Sequence, residues 1–422
     1  MTSSAWIAIT IFILVLLCII TEKINRTLAA MAGAMAMVFF RIIDSENIAT
    51  YIDFNTIGVL IGMMLVVSTI KKSGLFEFVA IYTAKRAKGN TGRILIGFAF
   101  ITAVLSAILD NVTTVLLIGP MTLVITQILE INPIPFLITE IISSNIGGTS
   151  TLIGDPPNIM IGSAAGLGFS DFIVHLLPLV LVILAITLAI LYFIFRKHLL
   201  IDPHKTQAVL ELDPYKSIMD YPLLYKSLGI ILLILLGFIF HENLGVSSSV
   251  VALTGATIIL IISKQNIEEI FSSVEWLTIG FFAALFVIVG GLEEAGIIKM
   301  LATYLMAATA GQPTIMVVVI LWLSAIVSSF LDNIPFVATL IPLILTMGQN
   351  GIDINPLWWA VSLGACLGGN GTLIGASANL VLANIGNRSG HKISFTRYFK
   401  YGFPLMILSI ILSTIYLLLF YV

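Results

Sequence analysis

The chain has 422 residues, of which 59% are hydrophobic and only 10% are charged, and its formal net charge is −2. Soluble proteins carry about 25% charged residues, so this composition excludes an ordinary soluble enzyme and indicates a polytopic membrane protein whose main partner is the lipid bilayer. The near-zero net charge gives no sign of a nucleic-acid partner. Cys18 and Cys366 lie in apolar segments without metal-ligand spacing, so we expect no cofactor, with bound Na⁺ as the one candidate exception.

Apolar runs of roughly 17–25 residues predict membrane-spanning helices. The first run follows four residues without a basic side chain, which favours a span over a secretory signal peptide. The ten predicted spans are 5–21, 27–43, 55–71, 134–164, 175–196, 227–241, 247–263, 276–292, 356–384 and 400–421.

Two further apolar regions, 92–128 and 315–347, are too long for one helix and too short for two full crossings with a loop. Each carries an Asp-Asn pair near its middle. Non-helical backbone at membrane depth must face protein or water, so we expect two re-entrant hairpins of half-length helices with polar tips. The alternative is two spans joined by a lipid-exposed turn. The tip residues are Asp110, Asn111, Asp332 and Asn333.

The chain repeats itself at a spacing of 222 residues, which becomes 221 after the hairpins. Leu-Asp-Asn at 109–111 returns at 331–333, and GTSTLIGDPPN at 148–158 returns as GNGTLIGASAN at 369–379. We therefore expect a first repeat at 1–196, a linker at 197–226 and a second repeat at 227–422. Each repeat has five crossings and one hairpin, and an odd number of crossings inverts the second copy. The predicted fold is an all-α polytopic membrane protein with two inverted repeats, about ten transmembrane helices, two re-entrant hairpins and two broken helices.

The basic residues predict the orientation. This threading places eighteen of the 20 Lys and Arg residues on one side and only Arg41 and Lys299 on the other. By the positive-inside rule the basic side is cytoplasmic. We therefore expect a multi-pass protein of the cell (inner) membrane with both termini extracytoplasmic, a cytoplasmic linker, and hairpins that enter from opposite sides.

The spans 134–164 and 356–384 contain Gly-rich polar segments that should break the helix. Broken helices leave free N–H and carbonyl groups that bind ions and substrates. The alternative is that the glycines only allow close helix packing. The predicted substrate or ion ligands at the breaks are Asn145, Gly148, Thr149, Ser150, Thr151, Asp155, Asn158, Asn370, Gly371, Thr372 and Asn379.

We place four acidic residues at membrane depth, with no Lys or Arg beside them: Asp110, Glu140, Asp155 and Asp332. A buried carboxylate needs a proton, water or a cation. Na⁺ is the candidate at Asp110, Asn111, Asp332 and Asn333, and the alternative for both aspartates is helix capping. Asp155 could equally cap the half-helix that follows it. Glu140 is the proton-coupling candidate, and we expect no catalytic residue.

The strings FLITEIISSNIGGTSTLIGDPPNIMIG (136–162) and LDNVTTVLLIGP (109–120) resemble the ion transporter superfamily, in particular the group of arsenite permeases, melanosomal P protein and NhaD-type antiporters with a citrate transporter-like domain. The resemblance implies a mobile transport domain, a dimerising scaffold and therefore a homodimer, elevator-type alternating access, and coupling to Na⁺ or H⁺. The paired Ser-Asn-Thr motifs of the dicarboxylate branch are not reproduced, which argues against citrate or succinate as the substrate.

The expected function is a secondary active transporter for a small ion or oxyacid, with arsenite or antimonite efflux favoured and coupling to H⁺ or Na⁺. The alternatives are a sodium/proton antiporter and a di- or tricarboxylate or anion transporter or channel. The enzyme alternative, an intramembrane aspartyl protease using Asp110 and Asp155, lacks the GxGD motif of such proteases, so we expect no enzyme.

Overall fold

The computed structural model describes residues 2–21, 23–199, 207 and 209–422, which form helices and connecting turns. The main helices of the first half are α1 Ser3–Thr21, α2 Arg26–Phe39, α3 Ile48–Tyr51, α4 Phe54–Lys71, α5 Leu75–Arg86, α6 Thr91–Ile108, α7 Asn111–Ile128, α8 Ile134–Gly148, α9 Pro156–Ala165 and α10 Phe169–Phe195. Those of the second half are α11 Tyr221–Leu244, α12 Ser248–Ser263, α13 Ile267–Ser272, α14 Trp276–Glu294, α15 Ile297–Ala308, α16 Pro313–Phe330, α17 Asn333–Gln349, α18 Asn355–Gly368, α19 Ser377–Arg388 and α20 Phe395–Phe420.

The two halves correspond helix by helix at the spacing of the sequence repeat. The starts of α5, α6 and α7 are each 222 residues before those of α15, α16 and α17, and α8 and α9 precede α18 and α19 by 221. The predicted fold class, an all-α membrane protein built from two repeats, is confirmed. The repeat boundaries at residues 196 and 227 stay a prediction, and residues 200–206 and 208 of the predicted linker lie outside the described residues.

In the described part of the chain, nine helices are long and apolar enough to cross a membrane. They are α1, α4, α6, α7, α10, α11, α14, α16 and α20. The predicted spans at 27–43 and 247–263 are shorter helices, α2 and α12, of 14 and 16 residues. Because α2 packs along α14 and α12 along α4, each short helix is partnered by a long one from the other half.

Both Asp-Asn pairs form the turn of a helical hairpin. Leu109 and Leu331 leave the helix with extended backbone, and the aspartate that follows caps the next helix. The expectation of half-length arms is wrong: α6, α7 and α16 have 18 residues and α17 has 17, which is about 27 Å of helix. Asn111 and Asn333 are nevertheless only 4% and 3% exposed, which excludes the lipid-exposed turn.

The helix before each break packs against the first arm of its hairpin at backbone distance. A Cβ atom on Gly147 would lie 2.1 Å from the carbonyl oxygen of Ala103, and one on Gly368 would lie 2.7 Å from that of Ala325. These α6–α8 and α16–α18 contacts hold the breaks at the depth of the hairpin tips. The close-packing interpretation therefore applies to these glycines.

Two short helices, α5 and α15, were not predicted. Gly74 and Gly296 precede them in the left-handed region, with φ of 82° and 75°. A Cβ on Gly74 would also meet the backbone of Ser217, because the end of the linker lies against α5. Each short helix connects a long helix, α4 or α14, to a hairpin.

We expect Gly147→Ala and Gly368→Ala each to lower the free energy of unfolding by roughly 1–3 kcal/mol, because the added methyl group meets backbone that cannot rotate away. Thermal unfolding of the purified protein in detergent measures this. Gly229→Ala in α11 is the matched control, since a Cβ atom added there would meet no atom within 4 Å apart from the adjacent backbone of its own helix. Equal melting temperatures for all three variants would contradict the close packing.

Candidate ion-binding site

A small cavity of about 20 Å³ lies where the two hairpin tips meet the first broken helix. This volume suits one water-sized occupant. Its polar lining comes from both repeats and consists of Arg26, Asp110, Asn111, Asp155, Glu275, Thr278, Asn333 and Ser377. The sequence predicted Asp110, Asn111, Asp155 and Asn333 as ligands, and the structure brings these four together.

The second hairpin tip is tied to the break of the first repeat. Asn333 Nδ2 donates to both carboxylate oxygens of Asp155, at 3.3 and 3.2 Å. Asp155 stands directly before α9, but its side chain makes no capping bond to that helix, so the capping alternative for Asp155 is wrong. Asp155 is only 1% exposed, and its carboxyl group faces the second tip and the cavity.

Asn145 joins the two broken helices. Its Nδ2 donates to the side-chain oxygens of Asn370 at 2.9 Å and of Asn379 at 2.8 Å. Its own side-chain oxygen accepts from Asn111 Nδ2 at 3.4 Å. All four amides are buried, so these bonds fix the relative position of the breaks and the first tip.

The repeat-related position makes the reciprocal contact. Cys366 corresponds to Asn145, and its Sγ lies 3.5 Å from the side-chain oxygen of Asn158, the counterpart of Asn379. Ser362 also donates to that oxygen, at 2.6 Å. The broken helices are therefore linked twice, through matching positions with unequal chemistry.

The other predicted ligands at the breaks bond to backbone in this conformation. The side chains of Asn158 and Asn379 donate to the carbonyls of Thr151 and Thr372, each at 2.9 Å. The hydroxyls of these two threonines donate in turn to the carbonyls of the hairpin residues Ala107 and Ser329, each at 2.5 Å. Thr149 and Ser150 donate to carbonyls of α8, while Gly148 and Gly371 allow close packing. These residues shape the breaks around the cavity.

The two hairpin tips differ in the groups that stabilise their carboxylates. Asp110 accepts from the backbone N–H and the hydroxyl of Thr113, at 2.8 and 2.5 Å. Asp332 accepts the N–H of Ile334 at 3.2 Å and also forms an ion pair with Arg26, 3.3 Å from Nη1 to Oδ2. Capping is therefore shown for both aspartates. The expectation that no cation accompanies the carboxylates is wrong, because Arg26 in the first turn of α2 has the reach to meet the second tip.

Sequence reasoning missed Arg26 and Glu275 because both lie at predicted span ends. The repeat did contain a signal for Glu275. Asp53 and Thr56 at the start of α4 match Glu275 and Thr278 at the start of α14. Each acid accepts from its threonine hydroxyl, at 2.5 and 2.9 Å, so the pair is a repeated element.

Glu140 lies deep in the contact between α7 and α8. Its Oε1 accepts from the hydroxyl of Thr122 at 2.5 Å, and its Oε2 has no hydrogen-bond partner. Thr114 and Ser143 on the same two helices also bury an unpartnered hydroxyl. We call these four buried polar residues of α7 and α8 the α7–α8 seam, and the two helices also meet at the Asn111–Asn145 contact.

The second repeat has no equivalent of this seam. The positions that match Thr114, Thr122, Glu140 and Ser143 hold Phe336, Ile344, Val361 and Gly364. A buried carboxyl with a hydroxyl partner and no counter-charge is therefore a feature of the first repeat alone.

The donor atoms around the cavity are carboxylate, amide and hydroxyl oxygens. No group of three or more His, Cys, Asp or Glu side chains among the described residues is arranged to hold a metal ion. Carboxylate and amide oxygens around the cavity are instead the donors that hard cations accept.

Two larger hollows share lining residues with the cavity. One of about 560 Å³ shares Met64 and Glu275 with it and is also lined by Lys71 and Lys72. Another of about 330 Å³ shares Arg26 and Ser377. A third, of about 390 Å³ beside Asp53 and Tyr51, has no lining residue in common with the cavity.

The comparisons with known proteins agree with this architecture. A citrate transporter family model (CitMHS) matches residues 16–364. The 46 kDa membrane protein of Mycobacterium leprae is 43% identical, and the alignment covers 97% of both chains. The P protein of Homo sapiens is 33% identical across 95% of this chain and 58% of that longer protein.

Among solved structures, the YdaH transporter of Alcanivorax borkumensis, whose topology is described as unusual, is similar with a TM-score of 0.58. The match covers 88% of this chain and 86% of the other at 18% identity, so it supports the fold alone. The predicted resemblance to the P protein group is confirmed. The chain belongs to the citrate transporter family and is a multi-pass membrane transporter.

Proposed function

We propose that the protein is a secondary active transporter in which Na⁺ or H⁺ binds at the central cavity and drives the movement of a small ion or oxyacid. The observation that carries this proposal is the meeting of Asp110 and Asp155 with the amides of Asn111 and Asn333 around a space for one water-sized ion. Clustered carboxylates at low dielectric attract a cation and repel a carboxylate substrate. Sodium/proton exchange therefore fits the cavity better than citrate transport does.

Arsenite and antimonite remain the substrates that the resemblance predicts, and both are among the solutes of the transport assay described below. Among the described residues the one thiol near the cavity is Cys366, which is buried and lies against Asn158. The protease alternative gains no support, because Asn333, and not Asp110, occupies both oxygens of Asp155.

Elevator-type alternating access is supported by how the cavity is built. The lining residues that belong to the α2–α14 and α4–α12 pairs are Arg26, Leu60, Met64, Thr278 and the N-cap residue Glu275, whereas the other lining residues belong to the hairpins and broken helices. On the predicted orientation, both hollows that share lining residues with the cavity lie towards the cytoplasm. The conformation is then inward-facing, which favours alternating access over a continuous pore. A homodimer in the cell membrane, with both termini outside, completes the proposal.

Glu140 is the proposed proton carrier. It is 1% exposed and takes part in neither of the ion pairs found among the described residues. Protonation is therefore the way in which this buried carboxyl is neutralised. The α7–α8 seam places its unpartnered oxygen between helices that also hold the Asn111–Asn145 contact. Protonation of Glu140 can therefore influence the first hairpin tip.

Asp110→Asn should lower gradient-driven transport roughly tenfold or more, because a charge-assisted contact to the ion is worth about 1.5–3 kcal/mol. Asparagine caps helices as well as aspartate does, so the loss reports the charge. The assay is flux in proteoliposomes with an imposed Na⁺ or pH gradient, using Na⁺, Li⁺, arsenite, antimonite, citrate and chloride as solutes.

Asp353→Asn is the matched control for this experiment. Asp353 is an exposed aspartate that accepts the N–H of Asn355 at the start of α18, and its variant should transport like the wild type. Full gradient-driven transport by Asp110→Asn would contradict the cation site.

Glu140→Gln should remove the dependence of transport on an imposed pH gradient, because the amide fills the same space and carries no exchangeable acid proton. Flux measured over a series of internal pH values tests this. Glu46→Gln, which changes an exposed acid, is the control and should keep the wild-type profile. An unchanged pH profile in Glu140→Gln would exclude Glu140 as the proton carrier.

A further inference from the structure

Arg26 is built into the tip of the second hairpin. Its Nη1 lies 3.3 Å from Asp332 Oδ2 and 2.5 Å from Ser377 Oγ. Its Nη2 lies 3.4 Å from the hydroxyl of Thr278, and the guanidinium carbon lies 5.2 Å from the ring centroid of Phe281. The guanidinium therefore contacts α14, the second tip and the start of α19 together.

The start of α2 is fixed, so Arg26 does not meet Asp332 as a loose surface side chain. The next residue, Thr27, is buried and donates its hydroxyl to the carbonyl of Leu277 at 2.7 Å. Asn25 caps the helix by accepting the N–H of Thr27 at 2.9 Å. The cation is thereby held at the boundary between the α2–α14 pair and the second hairpin.

The first tip has no such cation. In the part of the chain that the structure describes, Lys72–Glu269 is the one ion pair besides Arg26–Asp332, and Asp110 belongs to neither. Ser248 occupies the position that matches Arg26. Its hydroxyl bonds to the side chain of Asn55.

We infer that Arg26 is a tethered cation, occupying at the second hairpin tip the place that a transported cation takes at the first. A guanidinium neutralises Asp332 as a bound ion would, but it cannot leave the protein. The sequence shows two matching Asp-Asn tips, yet the tips together bind one exchangeable cation per protomer, at Asp110. This inference rests on the proposed function, because it requires a cation at the first tip.

Removal of the guanidinium should create a second cation site. Asp332 would keep the hydroxyl of Ser377, 2.6 Å away, and the N–H of Ile334, but would lose its counter-charge. A carboxylate left unpaired in apolar surroundings takes up a cation or a proton. Arg26→Gln therefore converts a permanently filled position into an exchangeable one.

The first test counts cations on the purified full-length protein. Bound radioactive Na⁺ and protons taken up are measured per protomer at alkaline pH, where free carboxyls are ionised, and the proton uptake that is lost in Glu140→Gln is subtracted. The wild type should bind one cation and Arg26→Gln two, and Arg26→Gln/Asp332→Asn should return to one. The exposed Arg388→Gln is the control for loss of one positive charge and should bind one.

The outcomes separate the two proposals. A wild type that binds no cation contradicts the proposed function. A wild type that binds one cation together with an Arg26→Gln variant that also binds one contradicts only the tethered-cation inference, as does a wild type that binds two.

A second measurement stands even if Arg26→Gln does not fold. Asp332→Asn leaves the Arg26 guanidinium uncompensated beside the cavity, so it should weaken cation binding roughly tenfold without changing the number bound. If Asp332 were itself a ligand of an exchangeable ion, Asp332→Asn would instead lose one bound cation, and that result would overturn the inference.

Discussion

The cost of holding carboxylates inside an apolar protein is the constraint on which the rest of this structure depends. Asp110 and Asp332 stand at the hairpin turns, and Asp155 is buried in the first break. Each has its own hydrogen-bond donors: Asp110 has a threonine one turn further along the helix it caps, Asp155 has an asparagine of the second hairpin, and Asp332 has an arginine of α2. The helix interruptions meet this need, because unpaired backbone N–H groups are available only where a helix begins.

The duplicated architecture has been given unequal chemistry. Asn145 of the first broken helix contacts Asn379 of the second. The matching contact from the second to the first is made by Cys366. The first repeat carries the α7–α8 seam and a tip without a resident cation. The second repeat carries an apolar seam and the tip that Arg26 neutralises. The result is one site with two non-equivalent sides, which suits the proposed binding and release of one ion in each transport cycle.

Much of the fold follows from the sequence because repeated motifs and hydrophobic length are local signals. The Asp-Asn pairs and the Gly-rich breaks located the tips and the interruptions at the residues where the structure has them. Arg26 and Glu275 could not be found this way, because a charge at the end of an apolar run looks like a loop residue until the helices are packed. The arm lengths were underestimated for a similar reason. α6 and α7 are each as long as a membrane span, and the burial of Asn111 in the packed structure shows that the turn between them lies inside the protein.

The central claim is that a cation gradient drives this transporter. It is tested most directly by reconstituting the wild-type protein in proteoliposomes, imposing a Na⁺ or pH gradient, and then collapsing that gradient with an ionophore while solute flux is followed. The account predicts that concentrative flux requires the gradient and stops when the ionophore is added. Flux that continues unchanged after the gradient is lost, with the solute only equilibrating across the membrane, would contradict it.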